Sequence, residues 1–154
     1  MIRQPSEGVQ PNSELKVLRA MLRFTQGWTS GSSYERWCGA AELEIDSQDL
    51  KHFYPLATSG IVKPSEFALH QGIGASAVSK IIARFTAVGY VTRRANPEDA
   101  RSNYIVLTQK GMDAAQRLFD VVEEELKLTL ETWSQRDISA IGALVTRLAD
   151  DSGY

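Results

Sequence analysis

A chain of 154 residues, 43% of them hydrophobic, can bury one real core and is too apolar for disorder along its whole length. No apolar stretch approaches the ~18 residues of a membrane span, no apolar run follows the opening Met1-Ile2-Arg3-Gln4-Pro5 as a secretory signal requires, and a lone Cys38 excludes an internal disulfide, so a cytoplasmic setting without a membrane partner is expected. The formal net charge of −2 argues on its own against a polyanionic partner, yet seven of the 17 basic residues and only three of the 19 acidic ones fall between Gly60 and Gly111. A basic middle between acidic flanks is the footprint of a module that meets a polyanion with one face.

Residues 1–11 are mostly polar, with Pro5, Gly8 and Pro11, and read as a flexible N-terminal arm. Asn12 or Ser13 can cap a first helix with an apolar stripe at Leu15, Leu18, Met21 and Leu22, running toward Phe24 and Trp28. Gly27 and the Thr29-Ser30-Gly31-Ser32-Ser33 cluster should end or break it; residues 34–45 stay open between a short helix and a loop. Asp46-Ser47-Gln48-Asp49 offers a capped start for a second helix, which Pro55 is expected to kink or shorten and Ser59-Gly60 to stop. Pro64 suits the first position of a short third helix, Pro64 to Gln71. Gly72-Ile73-Gly74 makes a tight turn, and a fourth helix runs from Ala75 to about Val88, ended by Gly89.

The period then changes. Tyr90–Ala95 and Asn103–Leu107 read as strands around a turn-rich loop, Asn96–Ser102. Thr108 caps a long helix whose stripe runs from Ala115 through Leu118, Phe119, Val122, Leu126 and Leu130 to Trp133. Ser134 caps a last helix carrying Ile138, Ile141, Leu144, Val145 and Leu148. A short helix, a glycine turn, a second helix and a β-hairpin form a helix-turn-helix with a wing. The expected fold is mainly α with a small β-hairpin wing (α+β), a winged helix-turn-helix with a helical dimerisation region. Its divisions are the arm at 1–11, an N-terminal helix and connection at 12–45 used in dimerisation, a DNA-binding region at 46–111, and dimerising C-terminal helices at 112–154.

In the fourth helix Val78, Ile81, Ile82 and Phe85 fall on one buried face. The opposite face is Ser76, Lys80, Ala83 and Ala87, flanked by Ser79 and Arg84. A helix entering the major groove must be slim outside, because bulk would hold its backbone away from the base edges. An ordinary surface helix rich in alanine for its propensity would look the same. Arg93 and Arg94 at the base of the hairpin and Arg101 near its tip suit a narrow cationic projection into a minor groove. An ion pair with Asp99 could aim Arg101.

The segment 47–111 resembles the MarR family of bacterial transcriptional regulators. Pro64-Ser65-Glu66-Phe67-Ala68 with Gly72-Ile73 looks like that family's first helix and turn, and Ser76 through Phe85 is similar to its recognition helix. Gly89-Tyr90-Val91-Thr92-Arg93-Arg94 resembles the following strand, Asn96-Pro97-Glu98-Asp99-Ala100-Arg101 the wing, and Leu107-Thr108-Gln109-Lys110-Gly111 the start of the next long helix. The resemblance implies a repressor that binds double-stranded, pseudo-palindromic DNA as a homodimer built from the first and last two helices. Candidate DNA-contacting residues are Ser76, Ala77, Ser79, Lys80, Arg84, Arg94, Asp99 and Arg101, with the family's minor-groove arginine carried onto Arg101 and its aspartate partner onto Asp99. The pattern departs where Asn96 replaces a usual aspartate, Ala100 an arginine common there, Gly74 a polar cap, and Ala75 and Ala77 polar or basic residues. These changes thin the implied base and phosphate contacts.

Many such regulators release DNA on binding a small aromatic effector, and Trp28, Trp37, His52, Phe53 and Tyr54 are the candidates to line its pocket; aromatics at helix spacing also build cores. Some sense oxidants through a cysteine, which would make Cys38, beside Arg36 and Trp37, a redox alternative, against the plainer reading of an inert buried thiol. A winged helix that binds protein in place of DNA is the other alternative. Two histidines, His52 and His70, and one cysteine give no metal-ligand spacing, and no nucleophile–base pair or phosphate loop is visible. No enzyme activity, metal or cofactor is expected.

Overall fold

The computed structural model describes residues 12–96 and 99–153, and for residues 99–101 the backbone alone. The expected arm at 1–11, and Pro97 and Glu98 of the expected wing loop, lie outside the described residues.

Helix α1 (Ser13–Trp28) starts where the Asn12 side chain accepts the Leu15 N–H at 3.0 Å. Helix α2 (Gly31–Ala40) starts inside the Ser/Gly cluster, because Ser30 accepts the Ser33 N–H and the Ser33 hydroxyl donates back to the Gly27 carbonyl at 2.8 Å. The stretch left open by the sequence is therefore helical through Ala40, with Trp37 and Cys38 buried. A 3-10 turn (Ser47–Asp49), capped by Asp46 on the Gln48 N–H, leads into α3 (Leu50–Ser59). Pro55 lies inside α3 without ending it, between the fully buried Phe53 and Leu56, and the helix stops at Gly60, left-handed with φ 69°.

Strand β1 (Ile61–Val62) is too short to show any alternation in the sequence. Helix α4 (Pro64–Gln71) has Pro64 in its first turn and ends at Gly72, also left-handed with φ 61°. Helix α5 (Ala75–Ala87) buries Val78, Ile81, Ile82 and Phe85, the face anticipated above. Strands β2 (Val91–Asn96) and β3 (Asp99–Leu107) form the hairpin, and β3 also takes β1, giving an antiparallel sheet in the order β1-β3-β2. The ladder runs further toward the tip than expected. Ala95 faces Asn103 and Asn96 faces Asp99, with an irregularity between Ala95 and Asn96, and the Asn96 amide donates to the Ser102 hydroxyl at 2.9 Å. Polar residues that suggest a turn by composition here pair through their backbones.

Helix α6 (Gln109–Thr129) is capped by Thr108, whose hydroxyl accepts the Gly111 N–H and donates to the Gly89 carbonyl at 2.6 Å. A Cβ on Gly111 would run into the Tyr90 carbonyl oxygen, so this position admits no side chain. The expected continuation to Trp133 is corrected. The Leu130 N–H bonds back to Leu126 and Lys127, tightening the last turn, and Ser134 caps α7 (Gln135–Ser152) after residues 130–134.

The core lies where α2, α3, α5, the sheet and α6 meet, around Trp37, Phe53, Phe85, Tyr90, Ile105 and Leu118. Neither α1 nor α7 contributes a buried residue. The architecture is a winged helix flanked by long helices.

Candidate nucleic-acid interface

Phe67 of α4 and the apolar face of α5 anchor the helix-turn-helix to the core, and this fixes which side of α5 meets solvent. Ser76, Ser79, Lys80, Ala83 and Ala87 are exposed, and Ala77 is half-buried. No side chain caps α5 at Gly74, which leaves its first N–H groups to an outside acceptor such as a phosphate. The Ser79 hydroxyl donates to the Ala75 carbonyl at 3.0 Å. The outward surface is slim, as the helical wheel requires, with Ser76 and Lys80 as its reaching groups.

Arg84 is placed differently from the sequence expectation of a free DNA contact. Its Nε and Nη2 donate to the two carboxylate oxygens of Asp49, each at 2.6 Å. These hydrogen bonds raise the guanidinium pKa above its ordinary value, so Arg84 holds its charge firmly. Asp49, which the sequence offers only as part of a helix start, is buried at the end of the 3-10 turn. It stands 35 positions from Arg84, and no local spacing signals the pair.

In the hairpin, Arg93 and Arg94 are exposed, and as neighbours in β2 they point to opposite faces. Arg94 pairs across the ladder with Tyr104, and the Lys63 ammonium sits 5.8 Å from the Tyr104 ring centroid. This gathers Lys63, Tyr104 and Arg94 at one place on the wing. Among the described residues, Lys80, Arg93 and Arg94 have no carboxylate partner. The side chains of Asp99 and Arg101 lie outside the described residues, so their expected ion pair does too.

The five aromatic candidates for an effector pocket do not converge. Trp28 stacks edge-on against Trp37 at 5.2 Å, and Trp37 is buried with its indole N–H on Glu125 at 2.6 Å. Phe53 is wholly buried between Phe85 and Tyr90. His52 hydrogen-bonds Gln71 at 2.9 Å, and Tyr54 packs on Phe119. An open groove of about 300 Å³ runs beside α3 and α6, lined by Ala57, Ser59, Leu107, Met112 and Phe119 among others, and none of the five lines it.

Arg36 and Trp37 both turn to Glu125 rather than to the thiol. Cys38 is buried, and burial, helped by Asp46, pushes its pKa up to about 11. A thiol so raised holds little thiolate at neutral pH, which opposes the redox reading.

Residues 56–102 match the family model described as MarR family. No protein of curated function matches the sequence. A MarR family protein from Bacillus stearothermophilus superposes with a TM-score of 0.75 at 15% identity, over 95% of this chain and all (100%) of its own. The apo form of wild-type MarR from E. coli gives 0.64 at 15% identity, over 92% of this chain and 98% of its own. FabT from Streptococcus pneumoniae, solved in complex with DNA, gives 0.66 at 15% identity, over 90% and 96%. At these identities the likeness is one of fold.

Proposed function

We propose that this chain, a MarR family winged helix by its sequence at 56–102 and by its fold, acts as a homodimeric transcriptional repressor that binds double-stranded DNA. The observation that carries the reading is the slim outer face of α5, with Ser76 and Lys80, beside a hairpin bearing Arg93 and Arg94, the three cations having no carboxylate partner among the described residues. A helix of this profile fits the major groove while the wing follows the adjacent minor groove. Arg101, with Asp99, is assigned the minor-groove contact on the family resemblance. The DNA-bound relative supports the reading for the fold.

Support for the dimer lies on α1 and α7. Leu18, Met21, Leu22 and Phe24 on α1, and Ile141, Leu144, Val145 and Leu148 on α7, are all exposed in the single chain. Apolar stripes of this extent on two helices that bury nothing are the surfaces a second copy covers. The pair would then present two α5 helices to successive half-sites. An aromatic effector stays outside the proposal, because its candidate residues do not form one pocket.

The test is binding to duplexes selected from genomic DNA, followed by fluorescence anisotropy across a salt series. Lys80→Ala should weaken binding and make the slope of log K against log salt shallower by about 0.9, the value of one phosphate contact. No retained duplex, or a Lys80→Ala protein indistinguishable from wild type, refutes DNA binding through α5 and favours the protein-interaction module.

A further inference from the structure

Helix α5 contains one arginine, Arg84, and that arginine is already engaged. Asp49 takes its Nε and Nη2 protons in a side-on fork, one per carboxylate oxygen, at 2.6 Å each. The Asp49 side chain is only 10% exposed, while that of Arg84 is 51% exposed. Arg84 lies one helical turn after Lys80 and flanks the outward face, within reach of DNA by position alone.

A guanidinium is the commonest specific reader of guanine in the major groove, and it needs two parallel N–H groups to do so. The fork with Asp49 occupies such a pair. It also sets a carboxylate beside the guanidinium, where a phosphate would otherwise be attracted. Moving Arg84 onto DNA would strand a nearly buried carboxylate, a heavy penalty that favours keeping the pair in the complex. Of the remaining polar groups on the face, Ser79 donates its hydroxyl proton to Ala75, which leaves Ser76 and Lys80.

Resting on the DNA-binding reading above, we propose that Asp49 withholds Arg84 from the duplex. Helix α5 then meets DNA with Lys80 as its one effective cation, and Asp49 limits how tightly that helix holds the phosphate backbone.

The test uses the full chain and a duplex that the wild type retains, with anisotropy across a salt series and circular dichroism to confirm folding. Asp49→Asn should bind several-fold tighter, with a salt slope steeper by about 0.9. Arg84→Gln should keep the wild-type slope, and Asp49→Asn with Arg84→Gln should return to it. If Arg84→Gln fails to fold, the double variant, which leaves two neutral amides, carries the comparison with Asp49→Asn. A folded Arg84→Gln protein with a slope shallower by about 0.9 overturns the proposal, because Arg84 then already touches phosphate. An Asp49→Asn gain that survives in the double variant, or no change in slope with Asp49→Asn, also overturns it. A wild type that retains no duplex refutes the DNA reading and this proposal together, whereas the other outcomes strike the proposal alone.

Discussion

Glu125→Ala should destabilise the chain by about 2–3 kcal/mol, most of it through one hydrogen bond. Glu125 Oε2 accepts the indole N–H of Trp37 at 2.6 Å, and Trp37 is 2% exposed. Alanine leaves that N–H buried without its acceptor, a loss of ~1–3 kcal/mol. The other carboxylate oxygen pairs with Arg36 at 2.8 Å, but the Arg36 side chain is 55% exposed, and such a pair adds only ~0–1 kcal/mol. For a chain of this size each kcal/mol moves Tm by roughly 2–4 °C, so a drop of roughly 5–10 °C is expected. Glu125→Gln retains an amide oxygen for the indole and should lose about 1 kcal/mol, the charge-assisted part of the bond. In a Trp37→Phe background, which has no N–H to strand, Glu125→Ala should lose less than about 1 kcal/mol. The assay is urea unfolding at one fixed protomer concentration, since a dimer's stability depends on concentration. Equal losses for the alanine and glutamine variants, or an alanine variant within ~0.5 kcal/mol of wild type, would refute a energetic clasp between α2 and α6.

Cys38 should resist thiol reagents in the folded protein and react on unfolding; native labelling as fast as in urea would contradict its burial. Its folded pKa, about 11, stands above the ordinary 9.0, so the folded state holds the proton more tightly. The resulting stability advantage over Cys38→Ala is present below that ordinary value and should shrink as pH rises through about 11, read by urea melts at each pH. Gly111→Ala forces a Cβ against the Tyr90 carbonyl and should lose about 1–3 kcal/mol or fail to accumulate as folded protein, whereas Gly142→Ala, with open space around it, should be tolerated; equal melting temperatures would refute the clash. Leu18→Asp combined with Leu144→Asp should give a folded monomer by sedimentation velocity, because both side chains are exposed in the single chain. A persistent dimer would contradict the assigned interface, and an unfolded product would show that these helices are needed for folding itself.

The legible part of the fold came from short-range rules. Thr108 and Ser134 are read as caps, and Asn12 as one of two candidates with Ser13, because a side-chain oxygen reaches an N–H three residues on, and the structure has those bonds at Asn12, Thr108 and Ser134. The buried face of α5 follows from spacing alone, and so does the exposure of Ser76 and Lys80 opposite it. Local rules failed where a local preference was weak or divided. Ser/Gly-rich residues after Thr29 became helix once Ser30 capped them, and the polar flank of the hairpin became strand once a partner strand ran beside it.

Other features have no local signal at all. Asp49 and Arg84 meet across 35 positions, and Trp37 and Glu125 across 88. The aromatics grouped as one pocket by their chemistry are divided by the packing of α1, α2, α3 and α6 among Phe53 in the core, an edge-on contact of Trp28 with the buried Trp37, and the separate contacts of His52 and Tyr54. Sequence alone thus determined most of the helices apart from α2 and the end of α6, the glycine turn and the slim basic face, because each depends on residues within a turn or two of one another. Which arginine is free, which tryptophan is pinned and which apolar stripes are left uncovered were decided only in three dimensions, where burial and pairing depend on segments that chain order keeps far apart.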